Sequence, residues 1–162
     1  MASTITAAAL TVTITESIEL NGKDQGGSNE FSISSIKDIS KRIVTIAADD
    51  DATVLVFKST TATADGSLDL QTVKYIRITN LDSSNSVNIS LQLDSDENNS
   101  AADLSITHLL EAGRSFMMGA PDEGAHADDD SASIVTALTD LESIIVDPGS
   151  NSGQVEVFVA ST

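Results

Sequence analysis

His108 and His126 are the residues of this chain best suited to proton transfer or metal ligation. His108 shares the apolar parity of the run Leu104, Ile106, His108, Leu110, which predicts a buried or half-buried strand residue rather than a ligand. His126 stands beside Asp122, Glu123 and Asp128. Imidazole and carboxylate oxygens together would suit a divalent metal, but this spacing follows no metal motif. Asp94-Ser95-Asp96-Glu97-Asn98 places oxygen atoms at alternate positions, as a calcium loop does. Its sixth position is Asn99 instead of Gly and its twelfth is Ser105 instead of Glu, which excludes an EF-hand. Solvated acidic loops or an irregular calcium site between strands remain as readings. Serine is abundant, yet no Gly-x-Ser-x-Gly elbow and no glycine-rich phosphate loop occur. Carboxylate pairs are too common in so acidic a chain to mark a glycosidase. Tyr75 is the only tyrosine and there is no tryptophan, so a sugar-stacking platform is not signalled. Asn88-Ile89-Ser90 and Asn98-Asn99-Ser100 fit the glycosylation pattern, but no secretory signal gives them meaning. The expectation is a chain without catalytic, cofactor or metal residues, and not an enzyme.

Charge narrows the partners. The 162 residues carry 25 acidic and 8 basic side chains, a formal net charge of -17. A polyanion would be repelled, which argues against nucleic acid. Residues 1–78 hold seven basic and ten acidic side chains, net -3, so residues 79–162 hold net -14. The excess serves solubility, or leaves a basic-leaning first half to dock on an acidic neighbour. Cysteine is absent, which excludes disulfides and thiolate metal sites. Residues 1–9 lack the basic start of a signal peptide, and no apolar run is long enough for a membrane helix. These features predict a soluble product of a cytoplasm.

The elements that must position any surface are strands. Hydrophobic residues make up 40% of the chain and aromatics 3%, so the core is aliphatic. Ile, Val, Leu and Thr dominate, which favours β structure. Residues 1–9 read as an arm or as an extension of the first strand, with one domain over 10–162. Leu10, Val12 and Ile14 alternate with threonines, and Asn21–Asn29 reads as a glycine-rich loop before a short strand at Phe31 and Ile33. Ile36, Ile39 and Ile43 recur at helical spacing, so Ser35–Arg42 is the place for one or two helical turns. Strands follow at 43–47 and 53–58. Thr72–Thr79 and Val87–Leu93 flank Asn80–Ser86, whose Asn, Asp and Ser predict a hairpin at the centre of a sheet. The apolar parity changes between Tyr75 and Ile76, predicting a bulge or a strand covered on both faces. Strands are expected again at 104–110, 115–118, 134–135, 141–147 and 155–159, with 119–131 the longest irregular stretch. The fold class is all-β: an antiparallel β-sandwich, jelly-roll-like, of eight to ten short strands.

Three stretches carry a resemblance: VKYIRITNLDSSNSVNISLQL from Val73, HLLEAGRSFMMG from His108, and DLESIIVDPGSNSGQVEVFVAS from Asp140. In them the chain resembles small β-rich virion proteins of marine tailed bacteriophages. The resemblance implies a structural role, first as a capsid decoration or cement protein, made in the host cytoplasm and carried on the virion. Its partners would be the major capsid protein and further copies of itself, in a homotrimer, with residues 1–9 in the contacts. A tail, head–tail joining or fibre component is the alternative. A glycan- or calcium-binding recognition module, using loops 94–100 and 119–131, is a further one.

Overall fold

The computed structural model describes residues 5–58, 66–94, 104–127 and 137–162. The strands are β1 (Ala8–Glu16), β2 (Glu19–Leu20), β3 (Lys23–Asp24), β4 (Gly27–Ile36), β5 (Asp38–Ile46), β6 (Ala52–Lys58), β7 (Leu68–Asp69), β8 (Val73–Asn80), β9 (Val87–Asp94), β10 (Leu104–Leu110), β11 (Ser115–Met118), β12 (Asp140–Asp147) and β13 (Gly153–Ser161). Ten of these have four residues or more, as expected, and three two-residue pieces bring the described total to thirteen. The protein is an all-β sandwich. One sheet runs β10-β9-β12-β6-β7 and the other β11-β8-β13-β5. All pairs are antiparallel except β6 with β7. From β5 to β13, leaving aside the short β7, the chain changes sheet at every connection except β9 to β10. That order is the double Greek key of a jelly roll.

The core between the sheets is aliphatic. Ile76 and Ile78 from β8 and Val155, Val157 and Val159 from β13 meet Ile89, Leu91 and Leu93 from β9, Ile144 and Val146 from β12, and Phe57 from β6. On the far side of β13, Phe158 and Ala160 point away from this core. There a second cluster forms, in which Ile36, Tyr75 and Ala160 pack with Leu10, Val12, Phe31, Ile33 and Phe158. The long hairpin of β1 and β4 thus lies as a third layer over the outer face of the β11-β8-β13-β5 sheet.

Several expectations need correction. Asn80–Ser86 is not a hairpin loop: β8 and β9 lie in different sheets, and the loop crosses between them. Its local chemistry is nevertheless the expected one. The Asp82 carboxylate accepts from the N–H groups of Ser84 and Asn85, both at 2.8 Å. Those two bonds, Asn85 first, hold its carboxyl below the usual carboxylate range. A turn of this kind reverses the chain locally, but both arms already have better partners, β8 between β11 and β13 and β9 between β10 and β12. The parity change in β8 has both of its proposed causes. Lys74 has no partner on β13, so a bulge returns Val73 to the core side, while Tyr75 is covered by the outer hairpin.

Ser35–Arg42 is not helical. Ser35, next to last in β4, turns a corner at φ 64 before β5, and Ile39 and Ile43 sit exposed on the outer face of β5. Their spacing marks a half-covered strand rather than a helix face. The short helical turns lie instead at Leu70–Thr72 and Pro121–Glu123. Asn21–Asn29 is mostly strand, with the reversal confined to Asn21 (φ 53) and Gly22 (φ 72). Ala8 and Ala9 belong to β1, in line with the reading of this end of residues 1–9 as an extension of the first strand. The strand expected at 134–135 lies outside the described residues.

Two substitutions test this packing. Leu91 is buried in the core, whereas Gln92 points out, its Nε2 donating to Ser90 Oγ. Leu91→Asp should cost on the order of 4 kcal/mol and Gln92→Asp little, so equal melting temperatures would refute the facing. The Asn80 Nδ2 donates to the carbonyls of Asn85 and Leu110, and its Oδ1 accepts from the Asp82 N–H. Asn80→Ala should cost about 1–3 kcal/mol in denaturant melts, because it strands these groups at a fully buried position.

Candidate assembly surface

The outer face of the β11-β8-β13-β5 sheet can be written as a ladder from its register. Ile39, Ala160 and Tyr75 make one rung. Lys41, Phe158, Arg77 and Met117 make the next. Ile43, Glu156, Thr79 and Ser115 make the third. The hairpin covers Ala160 and Tyr75 of the first rung and Phe158 of the second, and leaves Ile39 exposed. Its inward residues, Leu10, Val12, Phe31 and Ile33, place the Phe31 ring 6.3 Å from Tyr75, and Phe158 meets Tyr75 at 6.1 Å in an edge-on contact. This burial raises the Tyr75 phenol above its ordinary range, with Arg77 opposing the shift.

A polar chain crosses all four strands of the uncovered part. Lys41 Nζ lies 3.0 Å from Glu156 Oε2, and Arg77 donates to Glu156 Oε1 at 2.6 Å. Arg77 also donates to Thr79 Oγ1 at 2.7 Å, and Thr79 Oγ1 and Ser115 Oγ share a hydrogen bond at 2.8 Å. The guanidinium carbon sits 5.8 Å from the Phe158 ring centre, in cation–π range. The Lys41 hydrogen bond and then that of Arg77 hold the Glu156 carboxyl below the usual glutamate range. This row links the side chains of the four strands across a surface whose flanks stay apolar and open. Ile39 and Ile43 are 54% and 60% exposed on one side, and Met117 is 43% exposed on the other.

The residues expected to do chemistry do not converge. His108 is exposed rather than buried, because β10 is an edge strand; its ring contacts Phe116, with centres 6.2 Å apart. His126 Nδ1 lies 3.2 Å from Thr139 Oγ1. Asp122 is taken by Lys74 in an ion pair, and Glu123 is exposed. The stretch 119–127 is tied down by this pair, by buried Pro121 and by the Ala125–Thr139 bridge. Asp128 and the oxygen-rich run 95–99 lie outside the described residues. Among those described, no three His, Cys, Asp or Glu side chains are grouped to hold a metal ion, and no helix is long and apolar enough to cross a membrane. Sequence reasoning missed the Lys41–Glu156–Arg77 row. Its signal was present as unlike charges on the non-core parity of apolar strands, but their pairing needs the strand order.

No protein-family model and no curated protein matches the sequence. Among solved structures, the chain is similar to one described as "Bacillus endospore appendages form a novel family of disulfide-linked pili". The likeness covers 77% of this chain and 87% of that one, at 12% identity and a TM-score of 0.39. At that score it carries neither fold nor function from one chain to the other.

The depressed Glu156 group gives a pH test. Its stabilisation is complete above the ordinary glutamate range and is lost as the pH falls through the lowered value. Wild type should therefore exceed Glu156→Gln in denaturant midpoint near pH ~7, with the gap shrinking as the pH falls below the ordinary glutamate range. A gap that stays constant across this range would separate the ion pairs from stability.

Proposed function

We propose that this protein is a structural subunit that binds the outside of a protein shell and stabilises it, as a phage decoration protein does. The observation that carries the reading is the ladder face. It joins a cross-strand row of charges, held in place from Lys41 to Ser115, to exposed isoleucines on β5 and an exposed methionine on β11. Such a pattern, apolar anchors beside pre-ordered charges, suits a docking surface. The resemblance to virion proteins supplies the shell: the major capsid protein, with this chain self-associating as a trimer. The lower net negative charge of residues 1–78, which supply both the hairpin and β5, favours this side for contact with a neighbour.

Co-sedimentation with shells that lack the protein tests the reading, with light scattering for the size of the free protein. Full-length protein should pellet with the shells in many copies per particle. Ile43→Asp should leave the melting temperature nearly unchanged, because Ile43 is exposed, while weakening attachment. Failure of the wild type to bind shells would remove the decoration role, and few copies per particle would favour a tail or joining component.

A further inference from the structure

The outer layer is two strands wide over a sheet four strands wide, and this mismatch leaves a groove along the free edge of β1. The groove has a volume of about 410 Å³. Its wall is Leu10–Ile14, and Tyr75, Arg77, Phe158, Met117 and Ser115 line the rest. Among the described residues β1 pairs only with β4, so its other edge offers backbone groups that no described strand takes. Edge strands usually carry a charge, a proline or a bulge that discourages pairing. From Leu10 to Thr15 β1 has no charge and no proline, and its one register irregularity lies earlier, between Ala8 and Leu10.

We propose that this groove accepts residues 1–7 of a second copy of the chain as an added strand beside β1. The inference rests on the reading of the protein as an assembly subunit. Three observations select the occupant. Residues 1–7, Met-Ala-Ser-Thr-Ile-Thr-Ala, carry no charged side chain, so they enter a body of net charge -17 without repulsion, unlike an acidic segment. Ile5 is 65% exposed, and its parity mates Ser3 and Ala7 are small, so one apolar anchor would face the groove between two narrow neighbours. Seven extended residues span roughly 23 Å, enough to run along the five groove-lining residues of β1 at about 3.3 Å each. The donor is a second copy, because filling its own groove would require the chain to reverse at Ala7-Ala8-Ala9. That sequence has none of the Gly, Asn, Asp or Pro of a tight reversal, and Ala8 and Ala9 already lie in β1. Backbone hydrogen bonds along β1 supply the affinity, and Ile5 beside Met117 supplies the selectivity.

The test uses sedimentation of the full chain, of a chain lacking residues 2–7, and of Met117→Glu, whose site is exposed enough to leave the fold intact. A labelled peptide of residues 1–8 is titrated into the shortened chain with and without Met117→Glu. Expected are concentration-dependent oligomers of the full chain, a shift of both variants toward monomer, and peptide binding that Met117→Glu weakens about tenfold or more. Oligomers of the shortened chain equal to those of the full chain, or peptide binding indifferent to Met117→Glu, would overturn the proposal. A full chain that attaches to shells but stays monomeric refutes the added strand and spares the decoration reading. Oligomers formed through residues 1–7 by a chain that ignores shells do the opposite.

Discussion

The β11-β8-β13-β5 sheet is apolar on its inner face and, at Tyr75, Phe158 and Ala160, on part of its outer face, and the rest of the molecule follows from covering both. Its inner face, with Ile76, Ile78, Val155, Val157 and Val159, is closed by the opposite sheet. Its outer face presents Tyr75, Phe158 and Ala160, which water would otherwise meet. Burying a side chain of Tyr75's size contributes a few kcal/mol, about 2–3 for a large apolar group. That gain is available only if the chain sends a further layer over β8 and β13. The β1–β4 hairpin is this layer. It is amphipathic in the expected way, with Leu10, Val12, Phe31 and Ile33 inward and threonines and serines outward.

The same constraint accounts for the character of the surface. Two strands cannot cover four, so the outer face keeps apolar positions at its margins, Ile39 and Ile43 toward β5 and Met117 toward β11. Between them, where the hairpin gives out, the sheet turns from rings and methyls to a row of charge and hydroxyl groups. Lys41, Glu156, Arg77, Thr79 and Ser115 satisfy one another laterally, so the row needs no covering layer. Exposed ion pairs of this kind add little to stability. Their consequence is geometric: they hold long side chains in place on a face that is otherwise open to a neighbour.

Much of the architecture was legible in the residues because strand periodicity is a local property. The alternation of Leu104, Ile106 and Leu110 and of Val155, Val157 and Val159 located β10 and β13, and Ser115–Met118 was bounded by turns on both sides. The anomalous parity of Val73-Lys74-Tyr75-Ile76 signalled a bulge or double coverage, and the strand has both. Helical spacing at Ile36, Ile39 and Ile43 misled for the converse reason. One of those residues is buried at a corner and two are exposed on an edge, so the spacing reflects no common face.

By itself, then, the sequence determined the class of the fold, the position of most strands, the aliphatic nature of the core and the strong negative charge. Each follows from residue type and short-range order. Only the tertiary structure decided that β8 and β9 part into different sheets, that Tyr75 lies under a hairpin, that His108 is exposed at an edge, and that Lys41, Arg77 and Glu156 meet. These depend on pairing between strands far apart in the chain. An apolar strand can pair with any neighbour of matching parity, so local pattern leaves the partner open, and the choice falls to the arrangement that buries both faces of the β8–β13 pair at once.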